Sequence, residues 1–95
     1  MDITCEAFIK STFIVKGKGL VFECEVITGK IDINSFIHFE ILDQKHAFEI
    51  TAKEKITTIS GVKKGPMVLL KTDSEEQIQN IRQNIKYPLK AIFKK

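Results

Sequence analysis

A chain of 95 residues suffices for one domain, spanning 1–95, and for one hydrophobic core. Hydrophobic residues at 43% and charged residues at 28% exclude a disordered segment, and no stretch approaches the roughly 20 apolar residues of a spanning helix. The net charge of +3 is too small to mark a nucleic-acid binder by itself, but its distribution is uneven. Residues 1–47 carry five Lys against seven acids, and residues 48–95 carry ten basic residues against five acids. The last ten residues hold Lys86, Lys90, Lys94 and Lys95 and no acid. Such asymmetry either builds a basic face or guards strand edges.

The elements follow from periodicity. A first strand is expected over about Ala7–Val15, ending in a Gly17-Lys18-Gly19 hairpin. Leu20–Thr28 alternates, with Phe22, Cys24 and Val26 on one face and Glu23 and Glu25 on the other. Turn residues at Thr28-Gly29-Lys30 and Asp32–Ser35 precede Phe36–Leu42, which points Ile37, Phe39 and Ile41 inward, His38 and Glu40 outward. Asp43-Gln44-Lys45 reads as the next hairpin, and Ala47–Lys53 directs Phe48, Ile50 and Ala52 to the core. Further strands are expected at Lys55–Ile59 and Met67–Thr72, the latter opened by Lys64-Gly65-Pro66.

The period then changes. Ile78, Ile81 and Ile85 recur at helical spacing within Ser74–Ile85, with Thr72 or Asp73 as cap and Glu75 and Glu76 in the first turn. Pro88 prevents continuation, and Leu89–Phe93 forms a last strand. One wet and one dry face per strand marks antiparallel pairing, and so many short strands point to a sandwich or barrel. The helix, at about 74–85, is expected to plug or lid it.

Phe13-Ile14-Val15-Lys16-Gly17-Lys18-Gly19-Leu20-Val21-Phe22, followed by Glu25-Val26-Ile27-Thr28-Gly29-Lys30-Ile31, resembles the opening of the second domain of translational GTPases of the elongation factor Tu type. Gly61–Lys71 is similar to that family's later approach to an apolar Val-Leu-Leu strand. The resemblance covers roughly residues 7–72 and implies a mostly β fold: an antiparallel Greek-key β-barrel of six or seven strands, here with one helix near the C-terminus. Members of that family use this barrel to contact ribosomal RNA, the acceptor end of tRNA, or their own GTPase domain. Ile33-Asn34-Ser35 replaces the family's Val-Gly-Asp turn, and no phosphate-binding Gly-x-x-x-x-Gly-Lys-Ser/Thr loop occurs in the chain.

For chemistry the residues offer little. His38 and His46 are the only histidines, and Cys5 and Cys24 have no metal or redox spacing, so neither a metal nor a cofactor is expected. Cys24, between Phe22 and Val26, reads as a core residue, and Glu23 and Glu25 as a solvated strand face. Sparse cysteine and an acidic start at Met1–Glu6 lead to the expectation of a cytoplasmic protein.

The sequence therefore points to a binding module, not an enzyme. RNA or a ribonucleoprotein is the first expected partner, with Lys16 and Lys18 at the hairpin, Lys53 and Lys55, and Lys63 and Lys64 as candidate phosphate contacts. The alternative is a protein-interaction or self-association module with no nucleic-acid role, which a contiguous patch of Ile27, Phe36 and Leu42 would favour. An enzyme would require a deep pocket holding His38 or His46.

Overall fold

The computed structural model describes residues 3–54, 57–59, 62–64 and 66–95, and the side chains of 3–53 and 66–95. The chain order is β1 (Ile3–Val15), β2 (Gly19–Gly29), β3 (Phe36–Ile41), β4 (Gln44–Glu54), β5 (Thr57–Ile59), β6 (Val62–Lys64), β7 (Met67–Leu70), α1 (Glu75–Asn84) and β8 (Leu89–Lys94). Six strands close into a barrel in the order β1-β2-β7-β4-β3-β8, with β8 paired to both β3 and β1. Every pairing in it is antiparallel. The expected mostly β barrel with one C-terminal helix is thus present, with six strands. β5 and β6 pair only with each other as a two-stranded sheet.

Alternation carries the core. Phe22, Cys24, Ile37, Phe39, Ile41, Phe48 and Ile50 are all buried, and Phe93, Ala91, Ala7 and Ile9 join them from β8 and β1. Phe39 meets Phe22 edge-on at a centroid distance of 5.3 Å and lies near-parallel to Phe48 at 5.9 Å. Val26 departs from the expectation and is exposed; it lies beyond the last β2–β7 pair, Glu23–Met67, and faces Ala7 beside a bulge in the β1–β2 ladder.

A crossover closes each end of the barrel. At one end, residues 30–35 carry the chain from β2 past β7 and β4 to β3. Ile31 is buried there, Asn34 and Ser35 exchange backbone hydrogen bonds with Ile50 at 3.0 and 2.9 Å, and the buried Ser35 hydroxyl donates to the Asp32 carbonyl at 2.6 Å. Asn34 takes φ +73, a region its short polar side chain tolerates. At the other end α1 crosses from β7 to β8 and drives Ile78, Ile81 and Ile85 into the core. The barrel's two mouths are therefore filled by side chains.

Several boundaries differ from the expectation, among them the end of β7 at Leu70 instead of Thr72. The N-cap of α1 is Ser74, whose hydroxyl accepts from the Gln77 backbone N–H, not Thr72 or Asp73. The β3–β4 loop is Leu42-Asp43, because Ile41 pairs directly with Gln44 and Lys45 already lies in the ladder opposite Glu40. β1 starts at Ile3, since its first residues pair with β8, a strand 89 residues distant by the Thr4–Phe93 hydrogen bond.

Candidate nucleic-acid interface

The end of the barrel capped by α1 gathers basic residues from three separate segments. Lys16 and Lys18 are exposed in the β1–β2 hairpin, which is closed by the Lys18 amide donating to the Val15 carbonyl at 3.0 Å. Gly19 lies against the Leu70 carbonyl and the Thr72 hydroxyl, which brings exposed Lys71 beside the hairpin. The third segment is Lys86-Tyr87: the Tyr87 hydroxyl is 2.7 Å from that of Thr12, tying Tyr87 to the part of β1 that extends beyond β8, with exposed Lys86 next to it in sequence. Tyr87 and Ile14 remain exposed there. Residues 12–22 contain no acid, nor do residues 77–95; Glu23 follows the first of these runs, and Asp73, Glu75 and Glu76 follow Lys71.

The other candidate lysines lie elsewhere. Lys53 is near the opposite mouth, opposite Val68 in the β4–β7 ladder, and its ammonium donates to the Ile31 carbonyl at 2.9 Å. It holds the crossover in place. Lys55 lies outside the described residues; Lys63 and Lys64 pair through their backbones with Thr58 and Thr57, and their side chains lie outside the description. Of the six, Lys16 and Lys18 are brought together. Lys71, Lys86 and Tyr87 were missed as site residues; only the loop geometry around Gly19 and the Thr12–Tyr87 contact reveals them.

Among the described residues two ion pairs occur, Lys10–Glu25 at 3.9 Å and Lys95–Asp32 at 4.0 Å, both exposed and of little energetic weight. Neither involves the basic rim.

A cavity of about 150 Å³ opens at the same end, between α1 and the β3–β4 turn. Its apolar wall is Ile41, Leu42 and Ile81, and its polar wall is Gln44, His46, Asn80 and Asn84. The His46 ring lies near-parallel to Phe39, with centroids 5.5 Å apart at 17°. His38 is on the outer face of the sheet, where burial, and then the charge of Lys94, hold its pKa below the usual imidazole value. The two histidines belong to opposite faces, as the partners Ala47 (exposed) and Phe39 (buried) show.

Both cysteines are buried free thiols, 1% exposed. Desolvation, reinforced by Cys5 and Glu23, pushes the Cys24 thiol up to about 12. The thiolate is the reactive form, so in the folded protein neither cysteine should react with a thiol-specific reagent at pH 8 within minutes, while the denatured chain should release two equivalents at once. Rapid modification of the native protein would mean that the β1–β2 ladder opens freely.

Ile27, Phe36 and Leu42 are exposed, but Phe36 and Leu42 stand at opposite ends of β3, so the three do not make one patch.

Compared with protein-family profiles, curated proteins and solved structures, the chain has no match.

Proposed function

We propose that this chain is a non-enzymatic binding module that contacts RNA, alone or in a ribonucleoprotein, through the basic rim at the α1-capped end of the barrel. The observation that carries the reading is that Lys16, Lys18, Lys71 and Lys86, from three segments, lie at the end of the barrel where Tyr87 is exposed. Lysines neutralise phosphates, and an exposed aromatic ring offers a stacking surface to any unpaired base. The resemblance of residues 7–72 to the second-domain barrels of translational GTPases is compatible with this partner class, since those barrels contact ribosomal RNA, the acceptor end of tRNA, or their own GTPase domain.

The test is fluorescence anisotropy with a mixed-sequence structured RNA at rising salt. Four phosphate contacts imply an affinity loss of roughly 100-fold between about 50 and about 200 mM salt. Lys16→Glu with Lys18→Glu should leave the melting temperature nearly unchanged while removing most of the binding, and Lys63→Glu with Lys64→Glu in parallel tests the remaining lysine pair. No binding by the unmodified protein at low salt would retire the reading.

One observation favours the alternative of a protein partner. The outer rows of β8, β3 and β4 place Ile92, His38 and Ala47 side by side, with Phe36 and Lys94 in the next row, and Glu40, Lys45 and Glu49 around them. An apolar centre with a rim of both signs is a protein-type surface. Salt-insensitive association, lost in Phe36→Glu, is its signature.

A further inference from the structure

The cavity beside α1 has no part in phosphate contact, because no Lys or Arg lines it among the described residues. We propose that it receives a single nucleobase from an unpaired stretch of RNA, an inference that rests on the RNA-binding reading above. Its volume of about 150 Å³ is well below the several hundred Å³ of a pocket for a drug-sized ligand, and it suits one planar heterocycle. The absence of Lys, Arg, Asp and Glu from the described lining gives a phosphate, carboxylate or ammonium group no permanent counter-ion there.

The polar wall has the chemistry of base-edge recognition. The Asn84 side-chain amide donates to the Asn80 carbonyl at 2.8 Å and to the Asn80 side-chain oxygen at 3.0 Å. That arrangement orients both carboxamides and leaves the Asn80 amide N–H₂ as donor and the Asn84 Oδ1 as acceptor. Gln44 adds one group of each kind. Carboxamides are the side chains that pair with a base edge through a donor and an acceptor together. His46 is held by its stack on Phe39, so this part of the wall is ordered before any ligand arrives.

Leu42 supplies an independent observation. It is the most exposed large hydrophobic among the described residues, at 69%, and its φ of +51 is a region that bulky side chains rarely adopt. A two-residue hairpin loop with both residues at positive φ favours Asn or Gly at this position. Leucine therefore violates both the turn chemistry and the solvation preference, and it does so at the cavity mouth. A base resting against it covers the apolar surface.

The experiment compares two oligonucleotides of equal length and backbone charge at low salt, a single-stranded RNA and its fully abasic counterpart, using the full chain. The intact strand is expected to bind at least tenfold more tightly. Leu42→Asn should raise the melting temperature, because it relieves the turn, and yet erase that preference. Asn80→Ala, on the exposed face of α1, should erase it too. Tyr87→Ala should lower affinity for the intact strand in part, through loss of the rim's stacking ring, while a preference over the abasic strand remains. Equal affinity for intact and abasic strands overturns the base site and leaves the electrostatic reading standing. Failure of both strands to bind overturns both. Loss of the preference in Tyr87→Ala, with Leu42→Asn and Asn80→Ala unaffected, places the base on the tyrosine and also overturns the cavity.

Discussion

Ile81→Asp is expected to cost about 4 kcal/mol or more, lowering the melting temperature by roughly 20 °C or preventing folding. Ile81 is 1% exposed and lies between Ile78 and Ile85 in the one apolar cluster that fills the barrel. Truncating such a side chain to alanine costs about 2–5 kcal/mol in lost transfer energy and residual cavity. Aspartate adds a carboxylate beside Ile41 and Leu42 and the carboxamides of Gln44, Asn80 and Asn84, with no Lys or Arg among the described lining residues. Burial of this kind raises a carboxyl pKa. The folded variant would then hold its proton more firmly than the unfolded chain, so its deficit should shrink as pH falls and grow as pH rises through the unfolded-state carboxylate value. Thermal melts of Ile81→Asp and Ile81→Ala across pH 4–8 check both statements. A melting temperature within a few degrees of the parent would show that α1 is peripheral to the barrel.

Gly29→Ala is expected to cost about 3 kcal/mol or more, whereas Gly17→Ala should cost only about 1 kcal/mol. Both glycines have a left-handed backbone, with φ +81 and +80, so both substitutions carry the same conformational cost. Their surroundings differ. A Cβ at Gly17 would meet nothing within 4 Å. A Cβ at Gly29 would run into the backbone carbonyl oxygen of Thr4, with the Cα of Cys5 at 3.0 Å, and backbone cannot step aside as a flexible side chain can. That same Thr4 carbonyl accepts the Lys30 amide at 3.0 Å, and Gly29 faces Cys5 in the β1–β2 ladder. Relief of the clash would therefore pull apart the ladder where the crossover begins. Chemical denaturation of the two variants gives the comparison directly, and equal losses would sink the steric argument.

Most of the barrel was legible because its wet and dry faces are written residue by residue. Phe22 and Cys24, Ile37, Phe39 and Ile41, and the isoleucine stripe of α1 all show their burial as spacing alone. Turns were less legible. The β3–β4 loop was expected at Asp43–Lys45 because Asp is a turn residue and Leu is not; the structure puts Leu42 in the turn, against that preference. Thr72, Asp73 and Ser74 are all cap-forming residue types, and only the bond from the Gln77 N–H to the Ser74 hydroxyl distinguishes them. β6 was missed because three residues, two of them lysine, carry no readable alternation. The candidate site was the least legible part. Lys16 and Lys18 announce themselves in a hairpin, but their union with Lys71 and Lys86 depends on which loops meet at one mouth of a closed sheet. So does the meeting of Gln44 and His46 with Asn80 and Asn84. Local sequence contains neither fact.

The pairing of β8 with both β1 and β3 also sets a timetable for this chain. During synthesis β1 emerges first, and it has only β2 for a neighbour until residues 89–94 appear. The β3 edge waits equally long, and the mouth of the sheet stays open until α1 precedes that last strand. Folding is thus governed by contacts of high sequence separation, the class that closes slowly, and the nascent chain exposes two unpaired strand edges in the interval. Any truncation that removes β8 leaves those edges bare, and the product should self-associate instead of persisting as a five-stranded monomer.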